Sequence, residues 1–319
     1  MNSKNPVLTV GIPTFNSCIY LEECIEKILI QSDFLDQIEI LVCDNASSDN
    51  TENLMDGYVD KYPDLIRYIR HDSNLGMDRN FWSCIENAQG EFVHLMGDDD
   101  YYTKNGLRRL VNLLHKHDNL DAICLSNNYL NTLNNKIIDN KEVATEDIFC
   151  QSGTMFFLSE NLKTLTLSNI VVKRSKCLEI GNIEKLFGTN WLHLGILTEI
   201  IKPTSKAYVF NFNDPLVTVR IGNQRWLEKD GAISYYYSAL SVYSHLNSNG
   251  YPNDVFNHIK TLFWQLLLNG SRINFHNKIF NIKYSFKFLR FYYDQPFKYI
   301  KFSAKLILLK HKPFFEGWN

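Results

Sequence analysis

Between residues 7 and about 129, short apolar runs take turns with helical stripes, and most runs give way to a cluster of polar side chains. Val7–Ile12 reads as a strand that Pro13 should end. Leu21, Cys24, Ile25, Ile28 and Leu29 then recur at the spacing of a helix packed on a sheet. Ile38–Cys43 is a second strand and leads directly into Asp44, while Asp49 and Thr51 supply cap chemistry for a helix through Val59. Strands at Leu65–Ile69, Phe92–Met96 and about Ala122–Asn127 alternate with helices over Met77–Ala88 and about Asn105–His117. This order predicts an α/β fold with a parallel sheet covered on both faces. In such sheets ligands sit beyond the carboxyl ends of the strands. Thr14-Phe15-Asn16, Asp44-Asn45 and Asp98-Asp99-Asp100 all fall there.

The acidic run is the sharpest chemical signal. Three adjacent carboxylates repel one another unless a cation sits among them. Mg²⁺ or Mn²⁺, hard ions that take oxygen ligands and share substrate phosphates, are the natural counter-charge. A solvated turn capping the next helix is the plainer reading. The position after a buried strand, with Asp44 at the end of another, points instead to a metal–diphosphate site. An acid at Asp44 suits hydrogen bonds to a ribose or base; a turn-forming Asp-Asn pair is the alternative. After the first strand stands Gly11-Ile12-Pro13-Thr14-Phe15-Asn16, with a single glycine. A dinucleotide fingerprint needs three, and no Walker motif is present, which disfavours NAD and P-loop chemistry.

Four segments in order resemble the inverting family-2 glycosyltransferases of GT-A fold. They are Leu8–Asn16, Val42–Thr51, Asn74-Leu75-Gly76 with Arg79-Asn80, and Leu95–Asp100. The resemblance covers roughly the first 125 residues. It implies that Pro13, Thr14, Asn16 and Asp44 hold the base and ribose of a nucleotide-sugar, and that Asn74, Gly76 and Arg79 line the far side of its pocket. Asp98 and Asp100 would be the D-x-D metal ligands, with Asp99 near the ribose or sugar. Departure of a charged diphosphate fits a bridging metal, and inversion needs a general base for the acceptor hydroxyl. The family usually carries that base as an Asp, often in a Glu-Asp pair. The matching stretch here, Leu186–His193, has Thr189-Asn190 instead. Asn takes no proton at neutral pH, so His193, on the same helical face as Asn190, is the first candidate, with Glu199 and Glu184 as alternatives.

Arg220 and Arg225, after a late strand-like run, could close over the diphosphate as bidentate donors. Surface arginines beside Trp226 are an equal reading. The predicted division is a catalytic region over 1–230, split at 129/130 into nucleotide-sugar and acceptor halves, followed by a helical region over 231–319. Residues 1–250 hold 22 basic against 32 acidic side chains, whereas residues 251–319 hold 11 against 3 and 18 aromatics. Lys298, Lys301 and Lys305 share one helical face, which suits an anionic inner-membrane surface; packing on the body or a homodimer contact are the alternatives. The net charge of −2 leaves no nucleic-acid footprint overall.

Seven cysteines with no C-x-x-C pair read as buried reduced thiols. No secretory h-region or membrane-spanning apolar run is evident, so the expected location is cytoplasmic, peripheral at the inner face of the membrane. The activity expected from the resemblance is transfer of a sugar, with a UDP-sugar as default donor, to a glycan or lipid-linked acceptor in bacterial surface polysaccharide synthesis. A non-catalytic scaffold of the same fold and a sugar-phosphate nucleotidyltransferase are the competing readings. The second lacks its Gly-rich basic loop.

Overall fold

A computed structural model describes residues 6–138, 146–160, 162–210, 214–221, 231–269, 287 and 290–292. Strands β1 (Leu8–Thr14) and β2 (Ile38–Asp44) are buried along their whole length, as apolar runs in a sheet covered on both faces must be. Helix α1 (Cys18–Leu29) buries Leu21, Cys24, Ile25 and Ile28, the predicted stripe. Helix α2 (Thr51–Lys61), strand β3 (Ile66–Arg70), helix α3 (Met77–Glu86) and strand β4 (Phe92–Leu95) continue the alternation. Gly11 is where α3 crosses β1 most closely: a Cβ there would lie 2.9 Å from Cys84 Cβ.

After the acidic turn come β5 (Tyr101–Tyr102), helix α4 (Gly106–Lys116), β6 (Ala122–Cys124), β7 (Asn127–Asn131), β8 (Lys136–Ile138) and β9 (Ile148–Cys150). Next are α5 (Gly153–Ser159), β10 (Ile170–Lys173), α6 (Arg174–Leu178), α7 (Leu192–Ile200), β11 (Ala207–Val209) and β12 (Val217–Ile221). Helices α8 (Gly231–Tyr243) and α9 (Asn253–Asn269) close the described part. The large sheet runs β3-β2-β1-β4-β10-β6-β11-β9, and a smaller one runs β5-β12-β7-β8. Tyr236, Leu240, Tyr243, Ile259 and Phe263 from α8 and α9 pack into the same core cluster as Trp191 and Phe157.

Three expectations change. Pro13 does not end β1: the strand continues through Thr14, paired with Asp44. Past Gly11 only β2 flanks β1, because β4 pairs no further than Leu95. A residue without an N–H is tolerated where one side of the strand has no ladder. The sheet is not all parallel either, since β10 enters antiparallel between β4 and β6. Finally, the run from Ala122 to Asn127 is not one strand. Leu125 N donates to Asn169 O and Ser126 O accepts from Leu216 N, which turns the chain out of the large sheet and into the small one. All seven cysteines are free, and all but Cys18 are buried.

Candidate active site

The carboxyl ends of β1, β2 and β4 carry the expected polar side chains, and the hydrogen bonds say what each one does. Asp44 is fully buried. Its Oδ1 accepts from Ser47 N at 2.9 Å and from the Ser47 hydroxyl, and its Oδ2 accepts from Tyr68 OH at 2.7 Å, with Arg70 Nε at 3.6 Å. Asn16, at φ 54°, donates its N–H to Ser47 Oγ and accepts Ser48 N at 2.7 Å. Asn74 Oδ1 accepts from Asn45 Nδ2 and from Gly76 N, so the turn before α3 is tied to the residue after Asp44. Pro13 is buried in β1 beneath this rim, and Gly76 caps α3 at φ 86°. Arg79 is exposed and stacks over the Phe187 ring at 4.5 Å, on the side of the loop before α7.

The acidic turn lies across from Asp44. Thr14 Oγ1 donates to Asp98 Oδ2 at 2.8 Å, so the first strand and the acidic turn share a hydrogen bond. Burial and the neighbouring Asp99 push the Asp98 carboxyl up to about 7, against hydrogen bonds from Thr14, Ser17 and the Phe15 backbone. Asp100 is pushed well above the carboxylate range by burial and Asp99. Its Oδ1 accepts from Arg220 N at 2.9 Å and its Oδ2 from Ser168 Oγ. The small sheet explains how Arg220 arrives: Thr218 pairs with Tyr101 antiparallel, so two residues further on Arg220 runs back alongside the turn. Its Nε donates to Asp99 O at 2.7 Å, its terminal nitrogen pairs with Glu23, and its guanidinium lies over Tyr20 and Tyr101. Arg225 and Trp226 lie outside the described residues, as do Lys298, Lys301 and Lys305.

Do these residues suit a divalent cation? Among the described residues no three His, Cys, Asp or Glu side chains converge as a ready-made cage. Mg²⁺-type sites seldom need one, because one or two carboxylates plus substrate phosphates and water complete the shell. Asp98 and Asp100 are hard oxygen donors whose ionised forms are disfavoured by their surroundings, which a cation would reverse. The donor set fits.

The acceptor-side candidates are placed differently. His193 is buried between Trp191 and Phe81, with ring centroids 5.4 and 6.1 Å away. Neither of its ring nitrogens has a hydrogen-bond partner among the described residues. Burial pushes its pKa down to about 3. Burial thus favours the neutral imidazole and leaves little of the ring open to solvent. Glu199 sits near the far end of α7, paired with Lys185 at 2.8 Å, and Glu184 is exposed before the loop. Thr189 Oγ1 is spent within the loop, on Leu186 O and Trp191 N, and Asn190 is exposed at φ 59°.

Three participants escaped the sequence reading. Ser168 and Glu23 hold the acidic turn and Arg220. Asp78, buried in the first turn of α3, accepts from Asn190 N at 2.9 Å and Leu192 N at 3.1 Å, and takes further backbone bonds from Gly188 and Thr189. With Gly188 and Asn190 both left-handed, successive N–H groups turn inward onto one carboxylate. Asp78 lies two residues after Gly76 and reads as an ordinary acid at a helix start, so its partners are invisible locally.

Polar loops gathered beyond the carboxyl ends of an α/β sheet, around an acidic turn, are the layout of GT-A enzymes. The chain belongs to glycosyl transferase family 2, whose sequence model matches residues 9–181. It is therefore a glycosyltransferase by family, which sets aside the nucleotidyltransferase reading. Abequosyltransferase RfbV of Salmonella typhimurium is 28% identical over 278 residues, covering 82% of this chain and 80% of that one. An uncharacterised glycosyltransferase of Rickettsia felis is 36% identical over 125 residues, covering 39% of this chain and 20% of its own length. Among solved structures, a fragment of S. aureus TarS in complex with UDP-GlcNAc superposes with TM-score 0.60 at 15% identity, covering 89% of this chain and 78% of that one. Mannosyltransferase PcManGT from Pyrobaculum calidifontis, in complex with GDP-Man and Mn²⁺, gives 0.58 at 15% identity, covering 97% and 82%. No helix among the described residues is long and apolar enough to cross a membrane.

Proposed function

We propose that the chain transfers a glycosyl group, with inversion, from a nucleoside-diphosphate sugar to a hydroxyl of a glycan or lipid-linked acceptor, in the assembly of a bacterial surface polysaccharide. The observation that carries this reading is the acidic turn: Asp98 bonded to Thr14 beneath the nucleotide rim, and Asp100 held by Ser168 and Arg220. A family relative that moves abequose and structural neighbours holding UDP-GlcNAc and GDP-Man support a nucleotide-sugar donor. Uridine is the default base.

In this reading Asp44 and the Asn16–Ser47–Ser48 bonds shape the base and ribose pocket, and the Asn45–Asn74–Gly76 bonds hold its outer wall. Asp98 and Asp100 hold Mn²⁺ or Mg²⁺, which when bound would stabilise charge on the departing diphosphate. Arg220 turns from Glu23 toward that diphosphate, which carries more charge than a single carboxylate. Asn190, exposed at the head of the Asp78-held loop, orients the acceptor rather than deprotonating it.

The basic C-terminal segment over residues 283–319 docks on anionic lipid. Its removal should weaken co-sedimentation with anionic vesicles in a salt-sensitive way, and unchanged sedimentation of a folded protein would refute it. The donor reading is tested by thermal stabilisation with a panel of nucleoside diphosphates, with and without Mn²⁺. A ligand bound only by the native state raises the melting temperature. A Mn²⁺-dependent shift with one diphosphate supports the reading and names the base; no shift with any of them rejects it.

A further inference from the structure

Segments far apart in sequence meet on the last carboxylate of the acidic turn. Asp100 N donates to Gly97 O at 3.1 Å and closes the turn on itself. Ser168, fully buried, bridges the same turn from outside: it accepts from Gly97 N at 2.8 Å and donates to Asp100 Oδ2. A hydroxyl has one proton, and with Gly97 acting as donor that proton is committed to Asp100. Arg220 N takes the other oxygen. Each carboxylate oxygen accepts at two positions, so pinning both oxygens fixes the side chain and still leaves room for a ligand.

Ser168 is itself fixed. Its carbonyl accepts from His94 Nε2 at 2.9 Å, and His94 Nδ1 meets the Tyr102 hydroxyl. In the neutral ring both bonds form together only as the Nε2–H tautomer with Tyr102 donating. Burial pushes His94 down to about 4, so that form persists through the neutral range. His94 lies in the strand before the acidic turn and Tyr102 in the strand after it, so both flanks of the turn are tied to one serine.

We propose that Ser168 is a positioning residue for the divalent cation: its hydroxyl, anchored through its carbonyl by His94 and Tyr102, holds the Asp100 carboxylate in the orientation presented to the cation. The inference rests on the reading of Asp98 and Asp100 as the cation-holding pair. A serine with only a structural role would change stability when removed. A partner that orients a ligating carboxylate also changes metal affinity, by about 10–100-fold.

The experiment is a Mn²⁺ titration of the full chain, read by melting temperature, at a saturating level of the nucleoside diphosphate that stabilises the wild type. Ser168→Ala should raise the Mn²⁺ midpoint about 10–100-fold and leave the metal-free nucleotide shift in place. Ser168→Thr, which keeps the hydroxyl, should restore it. Tyr102→Phe, one bond further out, should raise the midpoint less, and it carries the test if Ser168→Ala does not fold. An unchanged midpoint in these variants overturns the inference, even if the metal-free protein melts earlier. A wild type that no diphosphate stabilises in a Mn²⁺-dependent way overturns the reading of the acidic turn itself, a different failure.

Discussion

The two rims of the cleft use the same device over very different distances along the chain. On the nucleotide side, Asp44 captures Ser47 N three residues on, and Asp49 captures Thr51 N two residues on. Across from it, at the loop before α7, Asp78 captures the N–H groups of Asn190 and Leu192, 112 and 114 positions away. The first rim combines local turns with bonds spanning about thirty residues between consecutive strand ends, such as Ser48 N to Asn16 and Asn45 to Asn74. The second is a loop held in place by the first half of the molecule. Disturbing the nucleotide rim should therefore abolish ligand binding, while disturbing Asp78 should loosen the loop and spare it.

Asp100→Ala should have the largest effect. Turnover of the donor selected by the nucleotide screen is expected to fall on the order of 10²–10³-fold, with the Mn²⁺-dependent melting shift lost. The metal-free melting temperature should hold or rise, because a buried carboxylate is gone. Asp44→Ala comes next: it strips a buried acceptor from Ser47 and Tyr68 and should lower stability by about 1–3 kcal/mol in urea unfolding. The nucleotide shift should vanish with or without metal. Asp78→Ala should lower stability by about 1–3 kcal/mol and preserve the nucleotide shift. Loss of that shift would show that the two rims are not separable.

Acidity probes the acceptor side again. His193 titrates in the folded chain at about 3, well below its ordinary value near 6.5, and His94 at about 4. The unfolded chain then binds more protons between those values, so these groups favour folding above about pH 6.5 and their contribution is lost as pH falls toward 3. His193→Phe should flatten the acid limb of the stability curve by up to about 1.4 kcal/mol per pH unit. An unchanged slope would mean the imidazole is not buried neutral. The smallest effect belongs to Glu199→Gln, which breaks the Lys185 pair: a stability change within about 1 kcal/mol and unaltered turnover. A collapse of turnover would return Glu199 to the role of base.

Legibility in the sequence follows the same divide. The Asp44 and Asp98–Asp100 clusters sit directly after apolar runs, and their position at strand ends follows from that alone. Arg220 was legible as a late basic residue, but its contact with the acidic turn depends on the pairing of Thr218 with Tyr101. Ser168 lies in a stretch with no periodicity and bonds to a residue 68 positions earlier. Spacing puts His193 on one helical face with Asn190, but α7 begins at Leu192 and Asn190 stands before it at φ 59°, so the two share no face and His193 meets Trp191 and Phe81. The sequence reading assigns no strand over Ile170–Lys173, and nothing local says that this run enters antiparallel between β4 and β6.

That antiparallel strand also sets an order of events on the ribosome. Among the described residues β6 pairs with β10 and β11 alone, both of which are translated after it. The inner edge of β4 likewise waits for β10. A nascent chain that has emerged through Cys124 thus carries a nearly finished β3-β2-β1-β4 half-sheet with one bare apolar edge, and a second strand with no neighbour at all. Unpaired edges of this kind recruit other chains. Arrival of four residues, Ile170–Lys173, covers the β4 edge and one side of β6 at once, and the other side of β6 stays open until β11 is made.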